Sequence, residues 1–150
     1  MDSNSPTIDE VLVPFFDDLT EHKTGRRLRR VFQVEARLRE YLEAEGHRCL
    51  SSVSFELLTL EKTFEPRRAF TRCMRTEDLL YALRPFIEAP WLPEERVQAS
   101  VQVSVVEKLA LSMRAHDQLD LTQVAEEFAR LEIALIQIKQ SQRVEAASRR

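Results

Sequence analysis

Only two glycines, Gly25 and Gly46, occur in 150 residues. Sheet-rich folds use glycine at hairpin turns and bulges, and phosphate-cradling loops use it for close backbone approach. With two, neither a dinucleotide fingerprint nor a P-loop can be written. The six prolines stand at positions 6, 14, 66, 85, 90 and 93, and none follows Pro93. The intervening segments are filled by Leu, Ala, Glu, Gln and Arg, which are strong helix formers. The pattern predicts an all-α protein, a single compact bundle of five to six helices that ends in a long helical hairpin.

Apolar spacing places the helices. Ile8, Val11, Leu12, Phe15, Phe16 and Leu19 mark one face of a short first helix, with Pro14 inside it. Leu28, Val31, Phe32, Val34, Leu38, Tyr41 and Leu42 mark a second over about 25–45, which Gly46 is expected to end in the left-handed conformation. Ser51 or Ser52 caps a third, whose expected buried set is Val53, Phe55, Leu57, Leu58, Leu60 and Phe64, and Pro66 stops it. A basic connector over 66–75 has room for one helical turn around Ala69 to Cys73. Thr76, followed by Glu77 and Asp78, reads as the cap of a helix carrying Leu79, Leu80, Leu83, Phe86 and Ile87. Pro90 ends that helix, and Trp91 anchors the linker to Pro93.

Pro93 opens the first arm of the hairpin, over roughly 94–115. The β-branched stretch from Val101 to Val106 also fits a strand, but it lies between helix formers and has no turn partner. Asp120 and Gln123 form a capping box for the second arm, over 120–142. There Leu121, Val124, Phe128, Leu131, Leu135 and Ile138 alternate at intervals of three and four, a heptad seam of nearly three repeats. The seam either packs within the monomer or forms a dimer, and Ala125, Ile133, Ala134 and Ile136 broaden the apolar surface around it. Three parts result: an acidic arm over 1–22, a helical domain over 23–142, and a mobile tail over 143–150.

The net charge of −3 hides a segregation. Residues 1–22 carry six acids and no Lys or Arg, whereas residues 23–75 carry 13 basic and 7 acidic residues. Arg26, Arg27, Arg29 and Arg30 form one dense cluster, and Arg67, Arg68 and Arg72 form another. The guanidinium fork donates two parallel bonds to phosphate. If the clusters share one face, they make a nucleic-acid footprint. A competing arrangement folds the acidic arm onto the basic helix. The helix–loop–helix around Gly46 is a poor helix-turn-helix. Leu42 stands where a small residue belongs, and Lys62 is the only basic residue of the would-be reading helix.

Chemistry is hard to find. His22, His47 and His116 lie in separate segments, and Cys49 and Cys73 are 24 residues apart, so neither a metal site nor a disulfide framework is written. His47 beside Cys49, or Cys73 among arginines, is the nearest approach to a reactive pair. No cofactor, small-molecule substrate or catalytic group is implied. No apolar run approaches the ~20 residues of a membrane span, and the acidic start is unlike a secretory signal. The expectation is a cytoplasmic, non-enzymatic protein that binds nucleic acid through its arginines. The alternative is a helical protein–protein interaction or adaptor module that self-associates or docks a partner through the heptad helix.

Overall fold

The computed structural model describes residues 5–115 and 121–148. Among these it has seven α-helices and no strand. They are α1 (Ile8–Thr20), α2 (Gly25–Glu45), α3 (Ser52–Phe64), α4 (Ala69–Cys73), α5 (Thr76–Phe86), α6 (Arg96–Ala115) and α7 (Leu121–Ser148). A single-turn 3-10 helix, Gly46–Cys49, joins α2 to α3. The all-α bundle expected from the glycine count is what forms. The Val101–Val106 stretch is helical, and the helical turn in the basic connector is α4.

Local chemistry sets the helix starts. Thr7 caps α1 by accepting the Glu10 amide at 3.2 Å, while the Glu10 carboxylate accepts the Thr7 amide. Ser51 accepts the Ser54 amide at the head of α3. At α5 the cap is Arg75, one residue before the expected Thr76: its amide donates to Asp78 at 2.9 Å. Thr76 is instead buried, and its amide and hydroxyl both donate to the Pro6 carbonyl. The return bond from the Ile8 amide to Met74 ties the chain start to the α4–α5 junction. The hairpin's first arm begins at Arg96, and its second continues through Ser148, past the predicted end at Gln142. Asp120 and His116 lie outside the described residues.

Packing follows the apolar stripes. The α2 helix lies against α6, α4, α1 and α5, and α7 lies against α6 and α5. Tyr41, Phe70, Phe86, Leu12, Leu38 and Leu42 are among the fully buried side chains. Burial of each stabilises the fold by roughly 1.5–3 kcal/mol. Tyr41 also satisfies its hydroxyl by donating to the Ala82 carbonyl at 2.6 Å. Trp91 meets the Tyr41 ring edge-on at 5.1 Å, lies 5.5 Å from the Arg37 guanidinium, and donates its indole N–H to Glu45. It is the linker anchor that its sequence context predicts.

Two further expectations fail in the fold. Gly46 has φ −57°, so it is not left-handed. Its lack of a side chain serves close approach instead, because a Cβ there would lie 2.6 Å from Phe70 Cζ. Among the described residues the left-handed ones are Gly25 and Arg68. The second failure is α3. Of its six expected core residues only Leu58 is buried, and Val53, Phe55, Leu57, Leu60 and Phe64 face solvent. Phe32 of α2 is exposed as well.

Candidate interaction surfaces

The arginine clusters do not meet. In α2, Arg26, Arg27 and Arg29 are exposed in the opening turns. The 67–72 segment docks beside the other end of the same helix, where the Glu43 carboxylate accepts the Phe70 and Thr71 amides. Fourteen residues of helix, about 21 Å, separate Arg29 from Glu43. Several of the guanidinium groups are also engaged by the protein itself. Arg30 lies 3.3 Å from Glu95 and bonds Gln98, fastening α2 to the start of α6. Arg68 donates to Asp9 at 2.7 Å. Arg72 donates to the Glu65 carbonyl at 2.8 Å and lies 3.8 Å from Glu61. Arg67 is exposed, and among the described residues only its backbone amide is engaged, by Glu65.

Asp9 carries the competing arrangement. Its two oxygens take Arg39 and Arg68, each at 2.7 Å, so the acidic arm is clamped across two basic elements. Partial burial pushes the Asp9 carboxyl up. The hydrogen bonds and charges of Arg39 and Arg68 outweigh that and hold it below its ordinary value.

What remains of the basic face is a corner. Lys23, in the α1–α2 turn, donates to the Leu19 carbonyl at 2.6 Å. Desolvation and the nearby charges of Lys108 and Arg27 pull its ammonium below the ordinary value. Lys108 on α6 and Arg27 therefore lie near Lys23. No acid occupies the first turn of α2. Among the described residues, Arg26, Arg27 and Arg29 have no carboxylate within ion-pair distance.

The predicted heptad interface is internal. Val124, Phe128, Leu131 and Leu135 are buried in the core and Ile138 is packed against it. The Leu121 side chain lies outside the described residues. A seam covered by α5 and α6 of its own chain is not a surface for a partner.

An equivalent seam lies open on α3. Val53, Leu57, Leu60 and Phe64 follow at intervals of four, three and four, which aligns them on one stripe. They are between 50% and 77% exposed. Leu58 projects from another side, into the core, and Phe55 contacts the His47 ring at 6.1 Å. Glu56 and Glu61 flank the stripe on either side. Sequence reading missed this surface because it assigned every apolar residue of α3 to one interior face. The available signal was Leu58, which lies about 100° around the helix from Leu57.

Burial pushes the thiols of Cys49 and Cys73 above the ordinary value; Glu127 adds to this at Cys49, and Arg72 opposes it at Cys73. Neither is a thiolate poised for attack at neutral pH. No cluster of three metal-ligating side chains occurs among the described residues, and no helix among them is long and apolar enough to cross a membrane. Compared with protein-family models, curated proteins and solved structures, the chain matches none.

Proposed function

We propose that the protein is a helical protein–protein interaction module that docks an amphipathic helix of a partner along α3. The observation that carries this reading is the exposed seam of Val53, Leu57, Leu60 and Phe64. Large apolar side chains aligned on one helix face are informative where a scattered exposed leucine is not. Spacing of four and three is that of a helix made to receive another helix, with knobs entering holes. Glu61 on one side of the seam is paired with Arg72, whereas Glu56 borders the other side without an ion-pair partner among the described residues, so the complementary helix carries Lys or Arg beside Glu56.

A photo-crosslinking residue at position 57 tests the reading in cells of the source organism. The expected result is one discrete adduct, absent when the crosslinker stands at Ala36 of α2 and lost on adding Leu60→Asp. An adduct that survives Leu60→Asp, or none above the Ala36 control, overturns it.

A second reading is polyanion binding at the α1–α2 corner, supported by Lys23, Arg27 and Lys108 lying near one another and by the exposed Arg26 and Arg29 in the same turns of α2. Arg68 and Arg72 drop out of it because the protein's own oxygens hold them. Contacts of this kind weaken steeply with salt and do not depend on base sequence. Replacing Arg26, Arg27 and Arg29 by Ala is expected to abolish a mobility shift on duplex or single-stranded probes at about 50 mM salt. No shift by the parent protein at micromolar concentration removes the reading.

A further inference from the structure

The outward side of α2 sets a bare aromatic ring among unpaired cations. Arg26, Arg29 and Phe32 follow at intervals of three, and Gln33 stands four after Arg29, so these side chains share one face of the helix. That face lies opposite Val31, Val34 and Leu38, which are buried. All four outward side chains are exposed, Phe32 by 50%. Among the described residues no other ring packs on Phe32, and no carboxylate lies within ion-pair distance of Arg26 or Arg29. A shallow depression beside the ring is lined by Gly25, Leu28, Arg29 and Gln33. At its end Gly25 leaves open space where a side chain would stand. Lys23 and Arg27 lie at the same end of the helix, with Lys108 of α6 nearby. Glu40, exposed on the outward side two turns beyond Gln33, ends the cationic stretch.

These groups select a ligand by what they do together. Guanidinium forks take phosphates through parallel bonds, and cations with no protein carboxylate among them favour a polyanion. The exposed ring adds a flat π-face on which a base can stack. The Gln33 amide brings both a donor and an acceptor to a base edge. A duplex keeps its base faces stacked on one another, so its bases reach the ring only by unstacking, whereas a single strand presents them freely. A partner helix is poorly served here. It needs a stripe of large apolar side chains such as α3 carries, and Phe32 has only the half-buried Leu28 beside it.

We infer that the outward side of α2 binds single-stranded nucleic acid, with a base stacked on Phe32 and the flanking phosphates held by Arg26 and Arg29. The inference rests on the polyanion reading of the α1–α2 corner and adds to it the form of the strand and the residue that selects it. Fluorescence anisotropy at about 50 mM salt compares a labelled single strand of about 20 nucleotides, as DNA and as RNA, with the duplex of the same sequence. The full chain is expected to bind the single strands more tightly than the duplex, and the tighter of the two single-strand arms names the sugar. Phe32→Ala is expected to weaken single-strand binding about fivefold to a hundredfold, with duplex binding and helical circular dichroism unchanged. Phe32→Trp is expected to keep the affinity. A strand of abasic sugars is expected to bind the parent and Phe32→Ala alike, because the ring and the base are two halves of one contact. Salt separates the roles. Arg26→Ala with Arg29→Ala is expected to make the slope of log affinity against log salt shallower by about 1.4, while Phe32→Ala leaves the slope unchanged. Phe32→Ala without effect, an equal loss on duplex and single strand, or an abasic strand that still distinguishes the parent from Phe32→Ala overturns the inference and leaves the polyanion reading standing. A parent that binds neither form overturns both.

Discussion

The seams of α3 and α7 are written in the same spacing and have opposite fates. In α7, Val124, Phe128, Leu131 and Leu135 close against α5 and α6. In α3, Val53, Leu57, Leu60 and Phe64 face solvent, and the helix reaches the interior through Leu58. A three-four spacing states that a helix has an apolar side. Whether that side is covered depends on what stands opposite. Two helices oppose α7, whereas α3 leans on the five-residue α4.

Substitutions can break this contrast or sharpen it. The largest effect is expected at Leu131, fully buried: Leu131→Ala leaves a cavity and lowers unfolding stability by about 2–5 kcal/mol, read from urea denaturation. A loss below about 1 kcal/mol there would mean that the α7 seam is not packed as described. Next is the corner that carries α3. Gly46→Ala forces a methyl against the Phe70 ring and is expected to cost about 1–3 kcal/mol. Trimming the ring with Phe70→Leu in the same chain should return part of that, which a double-mutant cycle measures.

A smaller loss, about 1 kcal/mol, is expected for Asp9→Asn, because Arg39 and Arg68 are partly exposed and water screens the clamp. The pH dependence has a definite sign. Asp9 titrates lower in the folded protein than its ordinary 3.8, so its contribution is present above that value and is lost as pH falls through the folded pKa. Stability against pH should therefore flatten in the acid range for Asp9→Asn relative to the parent. The smallest effect is expected for Leu60→Ala, within about 0.5 kcal/mol, since nothing in the core loses a neighbour. If Leu60→Ala costs as much as Leu131→Ala, the α3 seam is covered in solution and the contrast collapses.

Much of this architecture is legible in the sequence. The boundaries of α1, α2 and α3 fall within a residue or two of those read from the apolar spacing, and Ser51 and Pro66 bracket α3 because they act over three or four residues of chain. The core positions of α5 follow from Leu79, Leu80, Leu83 and Phe86 alone. What is not legible is every feature that needs two distant segments at once. Gly46 reads as a left-handed stop, yet its role is set by Phe70, 24 residues away. Arg68 reads as a phosphate ligand, yet Asp9 claims it from the opposite end of the chain. The basic corner gains Lys108 from α6, whose distance in sequence hides it. The exposed α3 stripe is missed for the same reason, since local spacing carries no information about an absent neighbour.

The thin attachment of α3 has a kinetic consequence. One buried side chain, Leu58, and the contact with the short α4 hold this element to the body. It can swing out while the rest of the bundle stays intact, so its amide protons should trade with deuterium at a free energy well under that of global unfolding. A seated partner helix would close that route, and slowed exchange confined to α3 would be its signature.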